Sequence, residues 1–263
     1  MNTKNYDSKY RMLVLIDLSK ASENVLKNAV QLSKVLKGSL EVFYVKAPAD
    51  VVSYENQYSA IRAIQEDTRR AQARLKKMIR KIEKEENVLI TFQIAYGNIK
   101  NAIKEKIVKV QPDLVLLGKR KSKLINFLNH GITNFILKKC SANILIAGQD
   151  DKFHSYRDIM LGVYGSILQD EGIEVINDLN QKNTSPIRFF SVKNQDNKRQ
   201  AGLKQTKEGV SYVFSEGTNA LDGLASYISR TNMQLFCIPR KYGIKASVRQ
   251  MVDKLDIPVL FVG

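Results

Sequence analysis

The chain has 263 residues, of which 44% are hydrophobic and 26% charged, values typical of a globular protein with two domains. This composition excludes a disordered, collagen-like or disulfide-stapled chain. The 42 Lys and Arg outnumber the 26 Asp and Glu, and the net charge of +16 suits nucleic acid, an anionic ligand or an acidic membrane surface. The excess is concentrated in residues 1–150, which carry 27 basic and 14 acidic side chains.

The apolar runs and the cysteines bear on compartment and metal content. The first ten residues are polar, and no apolar run approaches the ~20 residues that span a bilayer. We therefore expect a cytoplasmic protein without membrane contact. Cys140 and Cys237 lie far apart without CxxC spacing, and only His130 and His154 could assist them. This favours a reducing environment, two small core residues and no metal site.

Apolar strands and amphipathic helices alternate through the first half. The strand 11–17 precedes a helix that Ser19 or Ser22 could cap and Gly38 could end. Strands joined by helices predict right-handed crossovers and an open parallel sheet with helices on both faces. The further elements are strands 39–46, 89–96, 113–118 and 143–148, a long helix over about 58–86, a helix over 99–110 stopped by Pro112, and a fourth helix containing Phe135, Ile136 and Cys140.

The second half repeats this order in a shortened form. Tyr10-Arg11 recurs as Tyr156-Arg157, and Leu145–Gly148 recurs as Leu260–Gly263. The offset between matching segments falls from 147 to 120 and later from 121 to 115. These falls indicate a deletion of 27 residues at the long second helix and one of six residues after the fourth strand. The predicted elements are strands 157–163, 187–193, 210–215, 233–238 and 258–262 and helices near 167–181, 218–230 and 244–255.

The beginning and end of the first half resemble a universal stress protein domain. The segment Met12–Ser19 reads as apolar strand, Asp, then Ser, and an Ala-Ser-Glu helix start follows. Residues 131–146 resemble the family's closing loop, helix and last strand, and Ile257–Val262 resembles that last strand too. The resemblance covers nearly the whole chain as two tandem domains, the second degenerate. It implies an α/β fold of two flavodoxin-like (adenine nucleotide alpha hydrolase-like) domains, each an open five-stranded parallel sheet with strand order 3-2-1-4-5, flanked by helices.

We place the two domains at residues 1–150 and 151–263. The resemblance implies that they pack as an intramolecular pseudo-dimer through their last strands. The apolar segment Pro258–Val262 and its counterpart Ile144–Ala147 would otherwise form exposed sheet edges, which proteins usually cover. A further homo-oligomer stays open at this point.

The resemblance also implies a ligand site outside the carboxyl ends of strands 1 and 4. ATP-binding members carry G-x2-G-x9-G-(S/T) after strand 4, where glycines let backbone N–H groups approach the phosphates. Gly118 and Gly131 keep the first and third glycines, whereas Lys121 and Ile132 replace the second glycine and the hydroxyl residue. Leu18 replaces the family's glycine after the strand-end Asp. The candidate residues for a nucleotide or anion are Asp17, Val45, Gly118, Lys119, Arg120, Lys121, Gly131 and Thr133.

Each candidate also has a purely structural interpretation. Asp17 contacts a ribose or caps the following turn. The basic residues at 119, 120, 121 and 123 donate to phosphate or form a solvated loop, and His130 assists an anion or is a surface histidine. The basic run from Arg69 to Lys84 is a nucleic-acid footprint or the outer face of an amphipathic helix. No RNA- or DNA-binding motif accompanies it, so nucleic acid is not an expected partner.

Catalytic motifs are absent from the sequence. No GxSxG, HExxH or GxxxxGK[ST] occurs, and the two histidines have no evident triad partners, so we do not expect an enzyme. We expect a stress-response protein that binds a protein partner or an anionic small molecule, needs no cofactor, and has weak, salt-sensitive affinity for ATP or phosphate in its first half. The alternative is a nucleotide-binding switch that uses the first domain, with slow ATP hydrolysis.

Overall fold

The computed structural model describes residues 8–47, 57–119, 131–148, 156–165, 173–181, 183–193, 209–217, 219–243 and 245–263. The first half contains β1 (Tyr10–Ile16), α1 (Ser22–Leu36), β2 (Gly38–Lys46), α2 (Gln57–Glu86), β3 (Ile90–Tyr96), α3 (Ile99–Val110), β4 (Leu114–Gly118), α4 (Gly131–Lys139) and β5 (Asn143–Ala147). The second half contains β6 (Leu161–Tyr164), α5 (Ile173–Asn180), β7 (Ile187–Lys193), β8 (Gly209–Ser215), α6 (Ala220–Arg230), β9 (Leu235–Pro239), α7 (Arg240–Gly243), α8 (Ala246–Asp253) and β10 (Val259–Val262).

The described strands form one sheet in the order β3-β2-β1-β4-β5-β10-β9-β6-β7-β8. Within each half the strands run parallel in the order 3-2-1-4-5, as the family resemblance implies. The two halves meet where β5 pairs with β10 antiparallel, with Leu145 opposite Leu260. We call this pair of strands the seam. Its formation confirms the predicted pairing through the last strands, and each strand covers the edge of the other.

Helices cover both faces of the sheet, and the apolar core continues across the seam on each face. On one face α1, α2 and α5 contribute to a single cluster that includes Leu75 and Val175. On the other face α3, α4, α6 and α8 contribute to a second cluster that includes Ile136 and Val252. Because β4 is covered on both sides, all four residues of Leu114–Leu117 are buried, which explains its continuous apolar run.

The first helix begins and ends differently from the prediction. Ala21, rather than either serine, occupies the N-cap position. Lys37 forms the C-cap in a left-handed conformation with a φ of 53°. Gly38 does not end the helix but begins β2, where an added Cβ would collide with the Met12 sulfur. The glycine is therefore needed for close packing between β2 and β1.

The first strand of the second half also starts later than predicted, at Leu161. The backbone before it bonds to side chains instead of to a neighbouring strand. The N–H of Ile159 donates to Asn183 Oδ1 at 2.9 Å, and the N–H of Met160 donates to Gln234 Oε1 at 2.7 Å. These bonds satisfy the two backbone donors without strand pairing, which removes the need for a longer strand. Where the structure describes them, the other predicted elements agree to within a few residues.

Within the described residues, no helix is long and apolar enough to cross a membrane. No group of three or more His, Cys, Asp or Glu side chains in the same residues could hold a metal ion. Cys140 and Cys237 are free thiols buried in the core, as the sequence predicts. Burial raises the pKa of both thiols, which keeps them protonated and unreactive at neutral pH.

Candidate functional site

The carboxyl ends of β1, β2 and β4 lie side by side at one edge of the sheet. β1 pairs with both of the other strands, and α1 and α4 pack on opposite faces, which makes this edge the switch point of the first half. Asp17 follows the last residue of β1, Val45 is the penultimate residue of β2, and Gly118 ends β4. The structure therefore brings these three predicted residues to the same edge.

The Asp17 carboxylate holds the turn between β1 and α1. Its Oδ1 accepts a hydrogen bond from the Ser19 N–H at 3.0 Å and one from the Ser22 hydroxyl at 3.1 Å. The residue is exposed at the sheet edge. These contacts match the structural interpretation of Asp17 as a local cap. Contact of the same carboxylate with a ribose stays a prediction.

Leu18 occupies the position where the family has glycine. Its φ is 56°, in the left-handed region that costs an L-residue roughly 1–2 kcal/mol. Its side chain is only 8% exposed and belongs to the core cluster under α1. Burial of the side chain offsets the backbone cost. The leucine also fills volume that a glycine would leave empty beside the candidate site.

The glycine at position 118 has a structural explanation that involves no ligand. An added Cβ there would come within 2.7 Å of Val25 Cγ2, so a larger residue would push α1 away from the sheet. Val45 and Thr133 are 9% and 4% exposed, so their side chains offer little surface at this edge. Any ligand contact from these positions would come mainly from the backbone.

Lys119 does not serve as the predicted anion donor. Its ammonium donates to the carbonyl oxygens of Val252 at 3.0 Å, Asp253 at 2.6 Å and Leu255 at 2.8 Å, at the C-terminus of α8. The residue is 6% exposed. Burial lowers the pKa of Lys119, and the charges of Asp253 and Asp256 oppose that shift. We correct the candidate set accordingly, because this lysine caps a helix of the second half.

The N-terminus of α4 retains features that suit an anion. Gly131 has a φ of 79°, and among the described residues, which do not include 120–130, no atom lies within 4 Å of the position that a Cβ would take. An open glycine at a helix start lets a phosphate approach the backbone N–H groups. Ile132 packs against the core instead of supplying a hydroxyl. Arg120, Lys121 and His130 lie outside the described residues, so their assigned roles stay predictions.

Aromatic side chains fill the corresponding edge of the second half. Tyr164 ends β6 at the position matching Leu18, and Tyr242 of α7 matches Lys121. The two rings meet edge to face with centroids 5.4 Å apart, and we call them the aromatic plug. A Cβ on Gly165 would come within 2.8 Å of the Tyr242 ring. Burial raises the pKa of Tyr164. The sequence analysis did not predict this plug, although the tyrosines at the positions that match Leu18 and Lys121 could have indicated it.

The comparisons agree with this architecture. Among solved structures, a universal stress protein from Archaeoglobus fulgidus DSM 4304 is 15% identical, with a TM-score of 0.73, over 97% of this chain and 96% of that chain. A protein from Pseudomonas aeruginosa UCBPP-PA14, described as a candidate universal stress protein, is 12% identical, with a TM-score of 0.60, over 96% and 92%. At these identities the likeness shows the fold alone.

The family itself is shown by sequence. No curated protein matches the chain. The model of the universal stress protein family matches residues 10–148, which is just over half of the chain and corresponds to β1 through β5. This is the segment in which the resemblance of strand, loop and last strand is strongest. The chain belongs to the universal stress protein family.

Proposed function

We propose that this universal stress protein acts by binding, without turnover, and that its first half carries a weak, salt-sensitive anion site. The observation that supports this proposal is the difference between two equivalent sheet edges. In the first half Gly131 is an open, left-handed helix start, whereas the aromatic plug fills the second half. The proposed site comprises Asp17, Val45, Gly118, Arg120, Lys121, Gly131 and Thr133.

Three features of the first half argue for weak binding. Leu18 fills the corner that a glycine would leave open, and its backbone is already in a left-handed conformation. Ile132 removes a hydroxyl donor from the helix start. Lys119 is committed to α8 and supplies no charge to a ligand. The attraction for an anion then depends on Arg120 and Lys121, whose effect salt screens over ~8 Å at physiological ionic strength.

The ionisable groups of this edge also favour binding over catalysis. Among the described candidate residues Asp17 is the one carboxylate, and its Oδ1 is already used to hold the β1–α1 turn. A protein partner or an anionic small molecule is the proposed ligand. The buried free thiols of Cys140 and Cys237 support action in a reducing compartment such as the cytoplasm.

A nucleotide switch with slow ATP hydrolysis is the second candidate. The open backbone at Gly131 favours it, because phosphates bind well at glycine-started helices. In that case ATP with Mg²⁺ should raise the unfolding free energy by about 2.7 kcal/mol at 100 times its dissociation constant. Release of inorganic phosphate over hours would identify hydrolysis. Weak binding without release would favour the first proposal.

Calorimetry on the full chain tests the anion site. Phosphate and ATP are titrated at low and high salt into the parent protein, into the Arg120→Ala/Lys121→Ala variant, and into the Arg80→Ala/Lys84→Ala variant. The control pair removes the same two charge types from the exposed C-terminal part of α2, at the opposite sheet edge. We expect only the first variant to lose binding, and binding of the parent to weaken in salt. Micromolar affinity that survives both the substitutions and high salt would overturn the proposal.

A further inference from the structure

Two cations, the buried Lys119 and the half-buried Arg240, cross the seam in opposite directions on one face of the sheet. Lys119, after β4 in the first half, donates to carbonyls at the C-terminus of α8 in the second half. Arg240, after β9 in the second half, donates to the carbonyls of Cys140 and Ala142, which follow α4 in the first half. The two cations occupy matching positions of the repeat, 121 residues apart. Each half therefore supplies the cation that binds the carbonyl groups at the end of the other half's last helix.

The opposite face shows the same crossing with hydroxyl groups. Tyr10 at the start of β1 donates to Asp178 Oδ2 of α5 at 2.6 Å. Tyr156, at the matching position 146 residues later, donates to Asn28 Oδ1 of α1 at 3.0 Å. Lys9 adds an ion pair with Asp178 at 2.5 Å. The crossing is therefore a property of the repeat as a whole and not of one contact.

Removal of either cation would take a side-chain donor away from carbonyl groups at a helix end. The last carbonyls of a helix have no acceptor role inside the helix and carry the negative end of its dipole, so a cation stabilises them. Lys119 is 6% exposed and Arg240 is half-buried, and this burial lowers the pKa of both groups. Deleting a group that pairs with buried polar atoms costs more than the net gain from forming the pair.

We propose that Lys119 and Arg240 form a crossed latch. Lys119, in the first half, stabilises the folded state of the second half, and Arg240, in the second half, stabilises the folded state of the first. Loss of Lys119 leaves the carbonyl groups at the end of α8 without their ammonium donor, so the second half opens first. Loss of Arg240 does the same to the end of α4, so the first half opens first. This role is independent of anion binding and of the proposed function.

The two native thiols report on the halves separately. Cys140 directly follows α4 in the first half and is 3% exposed, whereas Cys237 lies in β9 of the second half and is fully buried. Each reacts with 5,5′-dithiobis(2-nitrobenzoic acid) only when its surroundings open. Reaction of the full-length chain is followed in Cys140→Ala and Cys237→Ala backgrounds, so that each rate belongs to one known thiol.

We expect each substitution to speed the reaction of the thiol in the opposite half. Lys119→Met should speed the reaction of Cys237 by about tenfold or more and that of Cys140 much less, and Arg240→Met should do the reverse. The milder variants Lys119→Gln and Arg240→Gln keep one amide donor, and we expect the same crossed order at a smaller size. These milder variants carry the test if the methionine variants do not fold.

The matched control is Lys254→Met. This lysine also lies at the end of α8, but its side chain is 54% exposed and its ion-pair partner, Asp222, belongs to the same half. Its loss should change either thiol rate by about twofold at most, because exposed pairs contribute little. An uncrossed result, in which Lys119→Met exposes Cys140 first or speeds both thiols equally, would overturn the latch.

Discussion

The same sheet edge has opposite properties in the two halves of the molecule. In the first half the loop after β4 leads to Gly131, an open glycine at the start of α4. In the second half, six fewer residues follow β9, and the short helix α7 sets Tyr242 against Tyr164. The strand order is identical in both halves. The difference between the two halves at this edge therefore comes from the loop and its side chains and not from the strand order.

A second difference lies at the outer ends of the sheet. In the first half α2 covers β2 and β3 and buries Leu75, Ile79 and Ile82. The second half is 27 residues shorter at the matching place, and Val210 and Val213 of β8 are 43% and 57% exposed. Less burial at β8 means less hydrophobic stabilisation. We expect β8 to be the strand of the sheet that opens most readily.

Separation of the halves should have the largest effect. Residues 1–150 expressed alone lose β10, which leaves the apolar strand β5 as a bare sheet edge and deprives Lys119 of its carbonyl acceptors. We expect this fragment to self-associate, and light scattering coupled to gel filtration measures its mass. A monomeric fragment as stable as the intact chain would show that β5 does not need β10 to cover it.

Removal of the plug should distinguish the two edges by stability. Tyr242→Ala deletes a ring that packs on Tyr164 and Gly165, and we expect a loss of about 2–3 kcal/mol in the free energy of unfolding. Urea denaturation followed by circular dichroism measures it. Tyr96→Ala, at a residue 54% exposed in β3, is the matched control and should cost under about 0.5 kcal/mol. Equal losses in both variants would show that the tyrosine does not plug the edge.

The glycine that ends β4 should resist even the smallest enlargement. Gly118→Ala places a Cβ 2.7 Å from Val25 Cγ2, and we expect overpacking to cost about 1–3 kcal/mol. Gly223→Ala in α6 meets no atom of the described residues within 4 Å and should instead stabilise by about 0.5–1 kcal/mol. Thermal denaturation of both variants gives the comparison. A neutral Gly118→Ala would mean that α1 yields easily, and the structural reason for this glycine would fail.

Restoration of the family's glycine at position 18 should have a smaller effect. Leu18→Gly loses the burial of a leucine but relieves the left-handed backbone, so we expect a net destabilisation of about 1 kcal/mol. Leu26→Ala, at a fully buried leucine in α1, should cost about 3 kcal/mol. Denaturation in urea compares the two. If both substitutions cost the same, strain at position 18 contributes nothing measurable.

The dependence of stability on acid pH should show whether the charge of Asp178 strengthens its contact with Tyr10, which the neutral contact between Tyr156 and Asn28 lacks. Partial burial by itself raises the pKa of Asp178, but hydrogen bonds from Lys9 and Tyr10 outweigh it and hold that pKa below its ordinary value. Stability from this carboxylate is therefore full above its unfolded pKa of 3.8 and is lost as the pH falls through the lower, folded pKa.

Asp178→Asn makes this crossing resemble the neutral one at Asn28. Acid titration followed by circular dichroism should show a slightly shallower loss of stability below pH 5 in the variant. Glu216→Gln removes an exposed carboxylate at the end of β8 and is the control. A curve for Asp178→Asn that coincides with that of the parent would show that the charge at this crossing is unimportant.

The strands could be predicted because their signals are local, and the seam could be predicted because the family resemblance implies it and the last strands are apolar. The continuous apolar run Leu114–Leu117 indicates a strand buried on both faces, and the apolar segment Pro258–Val262 indicates a strand that needs a partner to cover its edge. The position of Lys119 could not be predicted, because its partners are backbone carbonyls more than 130 residues away and any sequence supplies carbonyls. The late start of β6 depends on Asn183 and Gln234, which reach it from other segments.

The antiparallel seam also determines on which side of the protein each carboxyl edge lies. Because β5 and β10 run oppositely, the carboxyl edge of the first half lies on the same side as the amino ends of the strands in the second half. The open edge and the aromatic plug consequently face opposite sides of the protein. A binding partner that approaches the open edge meets beside it the negative end of α8, already neutralised by the ammonium of Lys119. The proposed anion site and the aromatic plug thus lie at opposite ends of the protein.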